Sequence, residues 1–392
     1  MKLVFYSIIL NNHQANVADE LWELTHHSYC FVELVKPNDS NKKGGVDNYG
    51  SRPYLLRAWE STENYRKAMA LAMTADCCVF SGLPALPFEK ARMKKGLLSF
   101  DMSERWLKRG WGNIFSPAIS RMFLAYHLGG WKHKPIYKLC CSAFAADDQR
   151  KLLTFKDKCY KWGYFTRVGN INVEPLRNPV SSDSFTKIMW CARYLILKHS
   201  ELPVLMAQRL KQKGHNFMLD MYGEGELKNC TIELVKKLGV EDVVRFIGNK
   251  PNDELMADMR QHEIFIFTSD RNEGWGAVAN ESMANGCVLV SSDGIGSTPY
   301  LIENGKTGFT FRSPVQSSGF DNPDMAALDD LCGKVEWLLN HRKERNEIRN
   351  NALRLLRETY SPRAAAERLL SLIDNLCNGG DTEYIDGPCS KA

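Results

Sequence analysis

The sequence lacks the motifs that several classes of site require. Its 12 cysteines include no C-x-x-C pair, and no group of histidines and cysteines has metal-ligand spacing. There is also no D-x-D motif, no internal repeat and no apolar run as long as a membrane span. The apolar segment Met1 to Leu10 lacks a cleavage site, which predicts a buried first strand rather than a signal peptide. We therefore expect a cytoplasmic protein with reduced thiols and no metal centre.

Composition predicts ordinary globular domains with one basic block. At 392 residues the chain is long for a single hydrophobic core, so two domains are expected. Apolar residues make up 44% of the chain and charged residues 25%, as in typical globular proteins. Residues 89–167 contain 17 Lys and Arg against six Asp and Glu, an excess of +11, although the whole chain carries only +5. This block predicts an anionic partner surface, and we expect no nucleic acid as partner.

Aromatic side chains alternate with cations inside the basic block. The aromatic residues are Trp106, Trp111, Phe115, Phe123, Tyr126 and Trp131, and the cations beside them are Lys108, Arg109, Arg121, Lys132 and Lys134. Such a mixture is typical of segments that lie on a membrane surface. The alternative is a buried helix face with a solvated basic side. We expect peripheral contact with the cytoplasmic face of the inner membrane.

A strand–loop–helix–strand unit between Ile264 and Val290 organises the second half of the chain. The apolar run Ile264–Phe267 predicts a strand, the loop Glu273-Gly274-Trp275-Gly276 follows it, and a helix opens near Ala277. A helix N-terminus offers free backbone N–H groups and partial positive charge, which suit a phosphate. The two glycines allow the backbone to approach a ligand closely. Alone, however, a Gly-x-Gly before a helix favours an ordinary structural turn.

Two carboxylates frame this predicted phosphate site. Glu281 lies one helical turn after Ala277 on the same face, and its side chain leans back toward the helix N-terminus. A diphosphate at that terminus would leave Glu281 near an attached ribose. Glu273 would then lie on the other side, near whatever group the diphosphate carries.

The spacing of these motifs resembles that of the retaining glycosyltransferases of family 4, which have the GT-B fold. Glu273 and Glu281 form the E-x7-E signature of that family. Trp275 stands where the family usually has Phe, a variant associated with capsule and surface-polysaccharide enzymes. The resemblance is strong over Lys187–Arg312.

Two cations precede this motif at the end of another predicted strand, Lys187–Ala192. Arg193 stands at its carboxyl end and Lys198 follows five residues later. Two cations there suit the two phosphates of a sugar nucleotide. They also match the family's Arg-Leu-x-x-x-Lys pattern, with Tyr194 in place of Leu.

The resemblance implies an α/β protein of the GT-B fold, in which two Rossmann-like domains with parallel sheets face a central cleft. The alternation of strands and helices along the chain, with a polar loop at Asn11–Asn16 and a helix at Ala143–Phe155, also predicts parallel sheets. We place an acceptor-side domain at residues 1–170, a linker at 171–186 and a nucleotide-sugar domain at 187–358. Helix 359–378 would cross back to the first domain, and residues 379–392 would form a disordered tail.

Further site residues are expected at strand ends. In this fold the first loop faces the cleft, and here His13 replaces the family's glycine pair, which makes it a candidate catalytic residue. Glu104 and Arg105 follow another strand and resemble a Ser-Glu-Arg of surface-polysaccharide enzymes; they are either acceptor contacts or an ordinary helix cap with a salt bridge. By analogy the nucleobase lies near Gly248 and Asn249, and the nucleotide is contacted by Gly274, Trp275, Gly276 and Ala277.

The implied activity is transfer of a hexose or N-acetylhexosamine from a nucleotide-diphosphate sugar, with retention of configuration, to a glycan or lipid-linked acceptor in surface polysaccharide synthesis. We expect the donor to be a UDP-sugar and no metal or other cofactor to be required. Arg193 and Lys198 would stabilise the leaving diphosphate, Glu281 would bind the ribose, and Glu273 would hold the donor sugar without acting as a nucleophile. The alternatives are a catalytically inactive sugar-nucleotide-binding subunit and a GT-B sugar-nucleotide epimerase.

Overall fold

The computed structural model describes residues 1–37, 51–169 and 185–392, which divide into two compact units. The first unit comprises Met1–Thr166 and Thr359–Ala392, and the second comprises Arg167–Glu358. Each contains one parallel sheet, so the predicted α/β architecture with two Rossmann-like domains is confirmed. The linker that we predicted at 171–186 lies outside the described residues, apart from its last two positions.

The first unit has seven parallel strands in the order β3-β2-β1-β4-β5-β6-β7. The strands are β1 (Leu3–Ser7), β2 (Tyr29–Glu33), β3 (Leu55–Arg57), β4 (Cys77–Phe80), β5 (Ser99–Ser103), β6 (Ile136–Cys140) and β7 (Cys159–Lys161). The α-helices described in this unit are α1 (Asn12–Leu24), α2 (Thr62–Thr74), α3 (Leu86–Lys95), α4 (Pro117–Leu128) and α5 (Ala145–Lys151), with the C-terminal helix Pro362–Cys377 packed against α1. The strands are buried on both faces, as expected for a sheet covered by helices.

The second unit has six parallel strands in the order β10-β9-β8-β11-β12-β13. The strands are β8 (Thr186–Cys191), β9 (Phe217–Tyr222), β10 (Val244–Gly248), β11 (Ile264–Phe267), β12 (Val288–Ser292) and β13 (Phe309–Phe311). Its described α-helices are α6 (Glu201–Gln212), α7 (Lys228–Leu238), α8 (Asn252–Met259), α9 (Val278–Ala284), α10 (Thr298–Leu301), α11 (Met325–Asn340) and α12 (Arg342–Glu358), so the C-terminal helix of the first unit is α13. One continuous apolar core lies between this sheet and its helices.

Two helix boundaries differ from the prediction because of local capping and turns. We expected a polar loop up to Asn16, but α1 begins at Asn12 because the Asn11 side chain accepts a hydrogen bond from the backbone N–H of Gln14. We also expected a helix from Ala143 to Phe155, but α5 ends at Lys151. The backbone there turns through left-handed residues that a helix does not contain.

The predicted disorder of residues 379–392 is wrong, because this segment pairs with β7. Lys161 donates its backbone N–H to the carbonyl of Ser390 (2.8 Å), and Cys389 donates to the carbonyl of Lys161 (2.8 Å). Tyr160 donates its hydroxyl to Asp381 (2.6 Å), and Cys389 is fully buried. The segment thus covers the edge strand of the sheet, which would otherwise expose unpaired backbone groups.

Candidate active site

The connections of the second sheet define where a ligand would lie. From β8 the chain moves outward to β9 and β10 on one side, and it returns to the other side of β8 to form β11, β12 and β13. The carboxyl ends of β8 and β11 are therefore neighbours at the topological switch point. Ligands of open parallel sheets bind at such a point. The loops that follow these two strands contain Arg193, Lys198 and Glu273, the three residues of this half of the chain that we predicted to be catalytic.

An ion pair between Lys198 and Glu273 joins the two loops. Both side chains are mostly covered, with 13% and 15% of their surfaces exposed. The ammonium group of Lys198 also lies 5.4 Å from the ring centroid of Phe267, the last residue of β11. Residues that are 75 positions apart in sequence thus meet at the switch point, in a partly desolvated environment that strengthens their electrostatic interactions.

A buried histidine holds the same two loops together, and the sequence analysis missed it. His199 is 1% exposed; its Nδ1 donates to Glu201 (2.9 Å) and its Nε2 lies 3.5 Å from Asp270 in the other loop. Burial alone would lower the pKa of His199, but the hydrogen bonds to Asp270 and Glu201 raise it to about 9. The imidazolium is therefore charged at neutral pH and fixes Lys198, its neighbour in the chain. The signal in the sequence was a histidine beside Lys198 with acidic residues near both strand ends.

Backbone hydrogen bonds reinforce this junction. Thr268 donates its hydroxyl to the carbonyl of Lys198 (2.6 Å) and accepts one from the indole of Trp190 (2.9 Å). Asp270 donates its N–H to the carbonyl of Leu197 (2.9 Å). Because these bonds are made between the loops themselves, they hold the backbone of Leu197 and Lys198 beside the loop that follows β11.

The glycine-rich loop packs tightly against its surroundings. Gly276 has φ +77°, and a Cβ there would come within 2.5 Å of the Phe267 ring, so this position requires glycine. Gly274 and Trp275 accept backbone hydrogen bonds from Gly296 (3.0 Å) and Ser297 (3.2 Å) in the loop after β12. The loop therefore has one conformation fixed by both neighbouring strands.

The Trp275 side chain does not line a ligand site. It is 0% exposed, and its indole N–H donates to Asn280 (2.7 Å) within α9. We predicted that Trp275 contacts the nucleotide, but the structure gives its ring a packing role. The replacement of Phe by Trp is accommodated because Asn280 satisfies the additional N–H.

Helix α9 places Glu281 in its first turns, with the backbone N–H of Glu281 bonded to the carbonyl of Ala277 (3.1 Å). Burial of the carboxyl group raises its pKa to about 7. Glu281 also acts on Cys191, the last residue of β8, whose thiol pKa it raises after the larger effect of burial. Glu281 is thus close to the end of β8. Helix α9 has seven residues, Val278–Ala284.

The remaining predicted residues of the second unit follow β8, β9 and β10. Arg193 is exposed two residues beyond β8. Gly223 and Gly225, in the loop after β9, lie so close to the β8 loop that a Cβ on them would come within 2.0 Å of the Ala192 carbonyl oxygen and 2.6 Å of that of Tyr194. Gly248 ends β10 with φ +84°, and Asn249 follows it. Three adjacent strand ends therefore form one continuous edge with Arg193 on it.

A smaller polar cluster occupies the carboxyl end of the first sheet. His13 lies in the first turn of α1, and its ring stacks on Tyr164 at 5.5 Å between centroids. Tyr164 donates its hydroxyl to Glu104 (3.1 Å), which also lies 3.6 Å from Lys108. Burial lowers the pKa of His13 to about 4, so the imidazole is neutral at pH 7. The sequence analysis selected His13 and Glu104 but missed Tyr164, which joins them.

Arg105 does not belong to this cluster. Its guanidinium pairs with Asp148 (3.2 Å), and the two side chains are 8% and 0% exposed. Asp148 also accepts the backbone N–H of Leu107 (2.9 Å). The acceptor contact that we predicted for Arg105 is therefore not supported, because its charge is neutralised inside the unit.

The aromatic residues of the basic block separate into buried and exposed groups. Trp106 and Trp131, which we predicted at a membrane surface, are 5% and 4% exposed and belong to the core. Four other apolar residues are exposed: Trp111 (59%), Phe115 (84%), Leu124 (50%) and Leu128 (81%). We call these four residues, on the short helix Trp111–Phe115 and on α4, the apolar patch. Within the described part of the chain, no helix is long and apolar enough to cross a membrane.

Comparison with known proteins identifies sequences that are similar to the second unit. Residues 181–355 match the family model "Glycosyl transferases group 1". A D-inositol 3-phosphate glycosyltransferase of Corynebacterium aurimucosum is 38% identical over 97 residues, which are 25% of this chain and 23% of that protein. The amylovoran biosynthesis glycosyltransferase AmsK of Erwinia amylovora is 29% identical over 128 residues, 31% of each chain. The chain thus spans about a quarter to a third of the length of these curated relatives.

Solved structures extend the likeness to both units. HepE of Anabaena in complex with UDP has a TM-score of 0.67 at 12% identity and covers 95% of this chain and 100% of its own. The lipopolysaccharide outer core galactosyltransferase WaaB, in its apo form, has a TM-score of 0.66 at 13% identity, covering 95% and 98%. At this identity the likeness establishes the fold. The chain has the GT-B fold, and residues 181–355 of its second unit are similar to the glycosyl transferases group 1 family.

Proposed function

We propose that this protein is a retaining, metal-independent glycosyltransferase of family 4 that uses a nucleotide-diphosphate sugar. The observation that carries this proposal is the Lys198–Glu273 pair at the topological switch point of the family domain. It joins a cation suited to a phosphate with a carboxylate suited to sugar hydroxyls. Both lie on loops that the His199 cluster holds in place.

The proposed mechanism depends on charge at the leaving group. As the glycosidic bond breaks, negative charge grows on the diphosphate, and Lys198 and Arg193 stabilise it electrostatically. Glu273 satisfies Lys198 before the donor binds. In the donor complex Lys198 turns to the diphosphate, while Glu273 accepts hydrogen bonds from the sugar. These two cations take the role that a metal ion has in other transferases.

Glu281 is the proposed ribose ligand. Its enclosed carboxyl has a pKa near neutrality, so a hydroxyl donor stabilises the ionised form and lowers that pKa when the nucleotide binds. UDP is the proposed carrier, because the similar protein HepE was crystallised with UDP and with UDP-glucose, and a TarM variant was crystallised with UDP. In this arrangement Gly248 and Asn249 lie on the base side.

The acceptor is proposed to be a growing surface glycan or a lipid-linked glycan. Named relatives act in lipopolysaccharide and amylovoran synthesis, and one TarM variant was crystallised with α-GlcNAc-glycerol. In the first unit Glu104 and Tyr164 offer polar groups at the sheet end, beside the neutral His13. We assign acceptor contact to this cluster.

Peripheral membrane contact at the cytoplasmic leaflet is part of the proposal. The apolar patch stands beside the exposed cations Arg109, Arg121 and Lys132. Exposed aromatic and aliphatic side chains among cations suit the headgroup region of an anionic bilayer. Such contact would bring the enzyme to a lipid-diphosphate acceptor.

A donor screen tests the proposed activity. The full chain is incubated with a panel of nucleotide sugars, with and without glycan acceptors, and the release of free nucleotide is measured. We expect one uridine sugar to give acceptor-stimulated release, and a product whose anomeric configuration by NMR matches that of the donor. Inversion would contradict the retaining mechanism. Nucleotide binding without release would instead support a non-catalytic subunit, and conversion of the sugar nucleotide to its epimer would support an epimerase.

A further inference from the structure

A cavity lies in the first unit, away from the proposed acceptor cluster of His13, Glu104 and Tyr164. It has a volume of about 620 Å³ and is formed by the C-terminal part of α5, the loop to β7 and the end of the chain. His13, Glu104 and Tyr164 follow the carboxyl ends of strands, whereas this cavity lies beside the segment that enters β7 at its amino end. Nothing in the proposed transfer reaction uses it.

The walls of the cavity combine apolar surface with positive charge. Ala146, Leu153 and Phe155 supply the apolar part. Its cations are Arg150, which is paired with Asp147 (2.8 Å), Lys156 and Lys391, and its acidic side chain is Asp157. The Lys391 ammonium is fixed by the Asp381 carboxylate (2.6 Å), the Asp157 carbonyl (3.0 Å) and the Tyr160 hydroxyl (3.0 Å). This composition suits a ligand with an apolar body and one negative charge.

A buried amide without a partner also lines the cavity. Gln149 is 0% exposed, and its carbonyl oxygen accepts the hydroxyl of Thr154 (2.6 Å). Its Nε2 has no hydrogen-bond partner among the described residues. Leaving a buried donor unpaired is unfavourable, and native structures seldom do so without a functional reason. The amide is covered in this structure, so a ligand oxygen would satisfy it once the Gln149 side chain turns into the cavity.

The loop that forms the cavity has unusual backbone conformations. Leu153, Phe155 and Asp157 all have positive φ, at 55°, 47° and 59°. Non-glycine residues in this region are strained, and such residues concentrate at functional sites. Leu153 is 79% exposed although it is apolar, and its side chain forms an apolar rim at the opening of the cavity.

The cations of the cavity act on a thiol that lines it. The pKa of the Cys159 thiol is held below its ordinary value. The main cause is a hydrogen bond from Cys140, and the charges of Lys138, Arg150 and Lys391 act in the same direction. The contribution of these charges is smaller than that of the hydrogen bond, and it has the sign that favours an anionic ligand.

We propose that this cavity is a second binding site for a small amphipathic anion, a molecule with an aromatic or other apolar body and one sulfonate, carboxylate or phosphate group. The anionic group lies among Lys156, Arg150 and the Gln149 amide. The apolar body packs on Phe155 under the rim made by Leu153. The site is independent of glycosyl transfer.

Fluorescence titration of the full chain with 8-anilinonaphthalene-1-sulfonate tests the site. The dye has an aromatic body and one sulfonate, and its uncharged counterpart is N-phenyl-1-naphthylamine. Three variants are compared: Lys156→Glu, Gln149→Glu and Lys151→Glu. Gln149→Glu keeps the oxygen that accepts from Thr154 but replaces the amide donor by a carboxylate. Lys151→Glu is the matched control, because Lys151 is exposed on the same segment and does not line the cavity.

We expect saturable sulfonate binding that is at least about tenfold weaker in Lys156→Glu and in Gln149→Glu, and unchanged in Lys151→Glu, since a like charge repels the anion. Binding of the uncharged dye should change little in all three. Equal binding of the sulfonate by Lys156→Glu and wild-type protein would overturn the proposal. An equal loss in Lys151→Glu would also overturn it, because the effect would then be general electrostatics. Lys156 is exposed, so this variant remains informative even where Gln149→Glu does not fold.

Discussion

The two units share one strand order at their centre but use it differently. In each, the first strand has its second and third strands on one side and its fourth on the other. In the second unit the loops at this point interlock through Lys198 and Glu273 and through glycines. In the first unit the polar cluster combines α1, the end of β5 and the segment after β7. The same strand order thus places loops at the carboxyl ends of the central strands in both units, and the residues of those loops determine what can bind there.

The glycines explain why the nucleotide is assigned to the second unit. Gly223, Gly225 and Gly276 bring backbone against backbone or against a ring, and side chains there would clash. In the first unit, the loop after β1 instead carries Ile8, whose side chain would lie 3.0 Å from a Cβ on Gly82. That loop is filled by its own apolar side chains, and its Leu10 N–H is bonded to Glu33 (3.2 Å). The Leu10 N–H is therefore occupied by a side chain of its own unit.

The largest expected effect comes from removing the cation at the switch point. Lys198→Ala should lower turnover by about a hundredfold or more, because it removes stabilisation of the leaving diphosphate. Arg193→Ala should act in the same direction. The measurement is nucleotide release with the donor identified in the screen.

Lys108→Ala is the matched control for Lys198→Ala. Lys108 also lies beside a glutamate, Glu104, but in the first unit. Its loss should change turnover by less than about threefold, in line with an exposed ion pair. Equal losses of turnover in Lys198→Ala and Lys108→Ala would contradict the assignment of the nucleotide to the second unit.

The next effect concerns the affinity for nucleotide. Glu281→Gln should weaken UDP binding by about 1 to 3 kcal/mol, since a charged hydrogen bond to the ribose becomes a neutral one. The wild-type pKa of about 7 adds a pH dependence: binding requires the ionised carboxylate, so affinity should rise from pH 6 to pH 8. The nucleotide phosphate titrates as well, and the Gln variant isolates that contribution. An identical pH profile in both proteins would place Glu281 away from the nucleotide.

Membrane binding gives a smaller effect that concerns the first unit alone. Charge reversal of Arg109 and Lys132 should weaken co-sedimentation with anionic vesicles by about 1 kcal/mol for each charge, more at low salt than at high salt. Phe115→Ser should weaken vesicle binding further. Trp131 is buried and is therefore not substituted. Donor binding should be unaffected in these variants. Absence of vesicle binding at low salt in the wild-type protein would leave only a soluble acceptor.

The smallest expected effect is that of chelation. Saturating EDTA should leave turnover unchanged, because Lys198 and Arg193 are proposed to stabilise the diphosphate themselves. Loss of activity that magnesium or manganese restores would show that these cations are insufficient.

The sequence predicted the local structure best where the residues concerned lie in one short stretch. The loop around Gly276 and the helix with Glu281 follow in one short stretch, so their arrangement could be predicted from spacing alone. The Lys198–Glu273 contact joins positions 75 residues apart, and the strand order decides it. His199 escaped notice because its two partners are a neighbour in sequence and a residue on another strand.

The side chains of the first unit were harder to place from the sequence, because composition does not show which of them are buried. Trp106 and Trp111 look alike in the basic block, yet one lies in the core and the other is exposed. The sequence left Arg105 as either an acceptor contact or part of a salt bridge, and in the structure it forms a salt bridge with Asp148. The order of residues 379–392 depends on pairing with β7, more than 200 positions away, which no local pattern reports.

The most direct test of the account is a calorimetric titration of the full chain with UDP, comparing Lys198→Ala and Glu281→Gln with His13→Ala. We expect the wild-type protein to bind one equivalent of UDP. We expect the two variants in the second unit to lose at least about 1 kcal/mol of binding free energy, and the His13 variant to bind like the wild type. Unchanged affinity in both Lys198→Ala and Glu281→Gln, or a loss confined to His13→Ala, would contradict the assignment of the nucleotide to the switch point of the second unit.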